Sequence, residues 1–246
     1  MAVMSGEPRD SGVEVMVKEI AILMAAGLGS RMRPLTEHTP KPLIQVHGKP
    51  MIETVIEGLL SRPVEEIYIV TGYLGEQFTP LCEKYPQVHI LHNDAYLEKN
   101  NISSVYAARE VLGTGDCFIC ESDLYVADSS IFRKELNHSC YYGRMEKGYS
   151  QDWVFELRDG LISRVGKGGR DNYNMVGVSY FKKEDARILR EEIEKAYEKE
   201  ENGNLFWDEV VDRNLDRLKL TIEEVQPGQL VEIDTVEEWE RINESI

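Results

Sequence analysis

Arg31, Arg33 and Lys41 stand within eleven residues of one another in a chain whose formal net charge is −16. Three cations concentrated in so acidic a protein focus positive potential on one spot, where an anionic substrate would sit. They are interleaved with the string Ala25-Ala26-Gly27-Leu28-Gly29-Ser30-Arg31-Met32-Arg33-Pro34-Leu35-Thr36, continued by Pro40-Lys41-Pro42. Glycines just after a strand let backbone N–H groups approach phosphate oxygens, and successive amides form an anion-binding concavity. The chemistry expected of this loop is polyphosphate binding. Spacing excludes two rival loops. A dinucleotide fingerprint needs a glycine where Met32 stands, and no Gly-x-x-x-x-Gly-Lys-Ser/Thr occurs in the chain.

Two carboxylates come next. Asp123 follows the apolar run Cys117 to Cys120, and Asp234 follows Leu230 to Ile233. Carboxylates at strand ends on one rim of a sheet suit a hard cation such as Mg²⁺, which takes one or two carboxylates plus substrate oxygens. The competing reading makes each a helix N-cap, a role that fits Asp234 before Val236-Glu237-Glu238. His38, His47, His89, His92 and His138 show no mutual metal-ligand spacing.

These groups need a scaffold. Ile20 to Met24 predicts a strand, Met51 to Leu60 an amphipathic helix, Ile67 to Val70 a strand and Glu76 to Lys84 a helix. Val88 to Leu91 and Cys117 to Cys120 read as strands, with a helix over Ser103 to Val111 between them. Such alternation implies parallel βαβ crossovers, hence an α/β fold with a doubly wound, mostly parallel sheet and ligands at the carboxyl ends of its strands. Beyond residue 140 four short strands are expected: Tyr141 to Met145, Trp153 to Leu157, Leu161 to Val165 and Met175 to Phe181. Asp159-Gly160 marks a hairpin turn between two of them. They predict a small antiparallel extension over the site. Helices over Glu184 to Glu200 and Leu205 to Leu215, strands over Lys219 to Glu224 and Leu230 to Ile233, and a last helix after Asp234 complete the reading. Residues 1–17 are expected to form a mobile extension, and residues 18–246 one domain.

Bulk properties bound the partners. An acidic surface without a basic face excludes nucleic acid. No apolar run approaches the roughly 20 residues of a membrane span, and acidic residues break any secretory signal at the N-terminus, so a cytoplasmic protein is expected. A homodimer is compatible with the chain. Cys117 and Cys120 have Cys-x-x-Cys spacing, but on a strand residues three apart face opposite ways, so no metal or redox pair is expected.

The Gly-x-Gly-x-Arg loop with its downstream Pro-Lys resembles the nucleotide-diphospho-sugar pyrophosphorylase superfamily and, within it, the bacterial choline-phosphate cytidylyltransferases. The likeness runs from about Ile20 to Glu244, through Gly72-Tyr73-Leu74-Gly75-Glu76-Gln77-Phe78, Asn100-Asn101, Leu205-Phe206-Trp207-Asp208 and Glu232-Ile233-Asp234. The resemblance implies a nucleotidyltransferase domain of that superfamily's type. It implies a nucleotide held by Ala26, Gly27, Gly29, Ser30, Tyr73, Asn100, Asn101 and Ser104, with Arg31 and Lys41 as the catalytic cations on its phosphates. Asp123 and Asp234 match metal-ligand positions for Mg²⁺. The partners implied are CTP and a small phosphorylated acceptor, phosphocholine. A quaternary ammonium has no N–H, so aromatic faces and nearby carboxylates would recognise it; Trp153, Phe206, Trp207, Asp152 and Asp208 are the residues implied. The alternatives are 2-aminoethylphosphonate or phosphoethanolamine, a sugar 1-phosphate, or a catalytically silent nucleotide-binding regulator.

Overall fold

β1 (Glu19–Ala25) is apolar because it lies in the interior of the sheet: Ile20, Ala21, Ile22 and Leu23 are all 0% exposed. A strand covered on both faces reads as a continuous apolar run. The structure, a computed structural model, describes residues 17–244. Apart from Val17, the expected N-terminal extension lies outside the described residues.

After β1 come the short strands β2 (Gln45–Val46) and β3 (Lys49–Pro50), then α1 (Met51–Leu60), β4 (Val64–Thr71) and α2 (Thr79–Lys84). β5 (Val88–His92), α3 (Ile102–Ala107), β6 (Asp116–Glu121) and β7 (Leu124–Val126) follow. Two long strands, β8 (Cys140–Arg158) and β9 (Leu161–Phe181), lead into α4 (Lys183–Tyr197) and α5 (Trp207–Asp212). β10 (Thr221–Glu224), β11 (Leu230–Glu232) and α6 (Val236–Glu244) end the described chain.

Seven strands form the main sheet in the order β10-β8-β9-β6-β1-β4-β5. β1 pairs in parallel with β4 on one side and β6 on the other, which makes its carboxyl end a topological switch point. β9 is antiparallel to both β6 and β8. The two faces are covered separately. Ala21 and Leu23 join α1 in one core, while Ile20 and Ile22 join α3, α4 and α5 in the other. The fold is the doubly wound, mostly parallel α/β sheet expected, with antiparallel strands added. Cys120 lies in the first core and Cys117 in the second, both as free thiols.

Two expectations need correction. The four short strands after residue 140 are two long ones, interrupted by register shifts between Glu146 and Tyr149 and between Ser150 and Trp153. Polar, exposed bulges within a ladder look like loops in sequence. The hairpin between them turns at Asp159-Gly160, whose φ values of 53° and 79° are those such a tight turn demands. The helix expected over Glu76 to Lys84 is split into a 3₁₀ turn at Gly75–Phe78 and α2. Pro80 has no N–H to continue a helix begun before it, and instead sits in the first turn of α2. Among the described residues, no helix is long and apolar enough to cross a membrane.

Candidate active site

The loop leaving β1 is closed on itself before it holds anything. Gly29 adopts φ 62°, and its carbonyl accepts the Met32 N–H at 3.0 Å and the Thr36 hydroxyl at 2.8 Å. The Cβ of any other residue at position 29 would sit 2.9 Å from the Lys41 Cβ, so the glycine is required by both conformation and space. Met32, 0% exposed, packs into a small cluster with Ile44, Val46, Met51 and Ile233. That packing carries the far C-terminal segment to the loop. Because neighbours alternate along an extended chain, burying Ile233 turns Glu232 and Asp234 together to the opposite side.

Lys41 is consequently buried between two carboxylates, its Nζ donating to Asp123 Oδ2 and Asp234 Oδ1 at 2.6 Å each. Arg31, which reaches into solvent, donates to Asp234 Oδ1 at 2.8 Å. Burial opposes the charge on Lys41, but Asp123 and Asp234 outweigh it and raise its pKa above the ordinary lysine value. It is an ammonium at any physiological pH.

Neither aspartate caps a helix. Asp123 occupies the bend between β6 and β7. Thr235 caps α6: its hydroxyl accepts the Glu238 N–H, and Glu238 Oε2 accepts the Thr235 N–H at 3.1 Å. Carboxylate oxygens of Asp123, Glu232 and Asp234 all lie within 4.8 Å of one another. Hard oxygen donors so close together are a donor set that fits Mg²⁺. Desolvation, then the like charges of Asp123 and Asp234, raise the Glu232 carboxyl to about 7. Sequence reading missed Glu232. The signal available was the period of two that it shares with Asp234, and its repetition of the Glu121-Ser122-Asp123 pattern.

These groups line one cleft of about 390 Å³ together with Ala26, Gly27, Gly29, Ser30, Asn101 and Ser104. Two of the expected nucleotide residues stand behind it instead. The Tyr73 hydroxyl donates to the carbonyls of Thr36 and Glu37, and its N–H to Ala26 O, so Tyr73 props the loop. Asn100 is spent on Asn204 O and the Asn101 N–H, while Asn101 Oδ1 accepts the Trp207 N–H at 3.0 Å and thereby ties α5 to the cleft.

The expected aromatic cage is not assembled. Trp153 and Phe206 meet edge to face at 5.3 Å in a separate cavity with Arg164 and Arg213, and the ammonium of Lys167 already lies 5.7 Å and 5.0 Å from their centroids. Strand register decides this, since Trp153 pairs with Lys167 across the β8–β9 ladder. Asp152 is exposed and lines neither cavity. Trp207 is 3% exposed and stacks on Tyr141 at 5.9 Å as part of the core. Of the five acceptor residues expected, Trp207 and Asp208 alone reach the inner end of the cleft, in a recess that shares Met24 and Glu121 with it.

The loop glycines separate folding from binding. Gly29→Val is expected to destabilise the chain by roughly 1 to 3 kcal/mol through forced left-handed backbone. Gly27→Ala adds a methyl that meets no atom within 4 Å, so its melting temperature should match wild type while its KM for the triphosphate rises. Equal melting temperatures for wild type and the Gly29 variant would contradict this account of the loop.

Comparison with known proteins accords with this geometry. Residues 21–145 match the MobA-like NTP transferase domain family. The 2-aminoethylphosphonate cytidylyltransferase of Lancefieldella rimae is 53% identical over 90% of each chain. The choline-phosphate cytidylyltransferase of Streptococcus pneumoniae is 35% identical over 91% of this chain and 96% of its own. The solved CTP:phosphocholine cytidylyltransferase structure from that organism superposes with a TM-score of 0.86 at 34% identity, covering 93% of this chain and 99% of the other. With a phosphate loop, paired cations and clustered carboxylates on one cleft, the chain belongs to the MobA-like NTP transferase family and is a nucleotidyltransferase of its cytidylyltransferase branch.

Proposed function

We propose that the chain transfers CMP from CTP to 2-aminoethylphosphonate, releasing pyrophosphate. The observation that carries the acceptor is the 53% identity, over 90% of each chain, to a relative bearing that name; the phosphocholine relatives stand at 35% and 30%. The placement of Trp153 and Phe206 in a cavity of their own, outside the cleft, supports the same choice, because a trimethylammonium group is recognised by aromatic faces. Phosphocholine, expected from sequence, becomes the second reading, favoured by the solved neighbour.

In this reading an oxygen of the acceptor phosphonate attacks the α-phosphorus of CTP. A new P–O bond forms as the bond to the β-phosphate oxygen breaks, and its electron pair leaves with pyrophosphate. No protein nucleophile takes part. The residues position and neutralise: backbone amides from Ala26 to Ser30 cradle phosphate oxygens, Lys41 and Arg31 balance charge on the leaving group, and Asn101 and Ser104 orient the nucleoside. Asp123 and Asp234, with Glu232 beside them, would hold Mg²⁺, which when bound supplies positive charge to the triphosphate oxygens. A cytoplasmic setting, where CTP is made, belongs to the same proposal.

The test is pyrophosphate release across CTP, UTP, ATP and dTTP against 2-aminoethylphosphonate, phosphoethanolamine, phosphocholine and glucose 1-phosphate. We expect CTP with 2-aminoethylphosphonate to exceed any other pair in kcat/KM by tenfold or more. Preference for phosphocholine by that margin would reverse the acceptor assignment, and no turnover with any pair would point to a silent nucleotide binder.

A further inference from the structure

Ser104 meets the cleft with the direction of its hydrogen bonding already decided. The residue that decides it is Asn93, which does not itself line the cleft. Asn93 is 2% exposed, and its backbone N–H donates to the Thr71 carbonyl at 2.8 Å, which holds it at the carboxyl ends of β4 and β5. Its Oδ1 accepts the Ala95 N–H at 3.0 Å. A backbone N–H can only donate, so the amide is held one way round and Nδ2 faces α3. There Nδ2 donates to Ser103 Oγ at 2.8 Å and to Ser104 Oγ at 3.2 Å. Ser103 in turn donates to the Asn100 carbonyl at 2.8 Å, so its own proton is taken. Ser104 accepts from Asn93 and donates to no described residue. A hydroxyl has one proton to give, and that of Ser104 is left for the cleft that Ser104 lines.

Sheet order says which part of a nucleotide arrives there. β6, which leads to Asp123, and β5, which leads to Asn93, lie on opposite sides of β1 in the order β6-β1-β4-β5. Strand spacings of roughly 4.8 Å put them about 14 Å apart. Arg31 and Lys41 are paired with Asp234 and Asp123 at the β6 side, so the phosphates belong there. The wall made by Asn101 and Ser104 is polar but uncharged, which suits a base read along its hydrogen-bonding edge. Cytosine and uracil share the O2 acceptor and differ at ring position 3, where cytosine has a lone pair and uracil an N–H. A fixed donor satisfies the first. Against the second it sets two donors face to face, and neither is paired.

We infer that Asn93 is a positioning residue that commits the Ser104 hydroxyl to donate to N3 of the cytosine, and that this pair selects CTP over UTP. The inference rests on CTP as the nucleotide of the reading above and is independent of the acceptor.

The measurement is the ratio of kcat/KM for CTP to that for UTP, at saturating acceptor and Mg²⁺, in wild type, Ser104→Ala, Asn93→Asp and the double variant. Wild type should favour CTP by about 100-fold or more, as expected where a site built to pair a polar group meets its mismatch. Ser104→Ala should lower the ratio by about tenfold or more, through KM for CTP, with acceptor KM within about twofold of wild type. Asn93→Asp keeps the oxygen that accepts from Ala95 but puts a second acceptor where Nδ2 stood, which turns the Ser104 proton inward and its lone pair to the cleft. Its ratio should fall at least as far, with KM for UTP decreasing. The double variant should match Ser104→Ala within about twofold, because Asn93 acts on the base only through that hydroxyl. A merely structural Asn93 would scale both nucleotides alike; a ratio unchanged in Asn93→Asp, or lowered equally with and without the Ser104 hydroxyl, would overturn the positioning role. If Asn93→Asp melts below the assay temperature, Asn93→Ala reads the same coupling: it frees the Ser104 hydroxyl to rotate, and its loss of ratio should again disappear in the Ser104→Ala background. A CTP-selective wild type whose ratio survives Ser104→Ala would overturn this inference alone, whereas a wild type indifferent between CTP and UTP would overturn it together with the choice of CTP.

Discussion

Asp123→Asn and Asp234→Asn should each lower turnover by about 100- to 1000-fold, the range expected when one preorganised charge-stabilising group is removed from a transition state. Both side chains converge on the Lys41 ammonium at 2.6 Å, and both carboxylates lie within 4.8 Å of Glu232. Asparagine keeps the shape and an oxygen acceptor while removing one negative charge from the group that would hold Mg²⁺. The loss should appear in kcat, because charge develops on the reacting phosphates only as the bond breaks. Fold is preserved in each single variant, since Lys41 retains its other carboxylate partner, and far-UV circular dichroism with a thermal melt checks this. The Mg²⁺ concentration giving half-maximal rate should rise in both variants, and excess EDTA should silence wild type. Wild-type kcat in either variant, or full activity in EDTA, would remove the metal role.

Asp208→Asn should stabilise the ligand-free enzyme at pH 8 and leave it nearly unchanged at pH 4. Burial, with a smaller contribution from Glu209, lifts the Asp208 pKa from 3.8 to about 7, against the opposing hydrogen bond from Tyr141. The sign follows from proton counts. Between about pH 4 and pH 7 the folded chain keeps a proton on Asp208 that the unfolded chain has lost, so stability falls as pH rises and the whole penalty is present above pH 7. Three pKa units correspond to about 4 kcal/mol as an upper figure, and a chain of this size shifts its melting temperature by roughly 2 to 4 °C per kcal/mol. Melts of wild type and variant at pH 4, 6 and 8 should therefore diverge progressively, the variant being the higher. A gap independent of pH, or a less stable variant at pH 8, would show that Asp208 is not held at a cost.

The amino-acid order by itself determined the parts that depend on local chemistry. β1 was legible because a strand buried on both faces must be continuously apolar, and Ile20 to Leu23 satisfy that without reference to any other residue. The phosphate loop was legible because Gly29 needs a positive φ and the nearby cations stand out against a net charge of −16. Cys117 and Cys120 were separable because the period of a strand sends residues three apart to opposite faces. What joins distant segments was decided only in three dimensions. Glu232 became a neighbour of Asp123 because Ile233 packs against Met32, a contact that no period reveals. Trp153 had the composition of a ligand-binding aromatic, but the register of β8 against β9 set it beside Lys167 and outside the cleft. The recess between Glu121, Tyr141 and Asp208 joins β6, β8 and α5, and exists only once those three elements are packed. Local preference acts over a few residues, whereas pairing across a sheet and the space left between packed elements depend on all of them together.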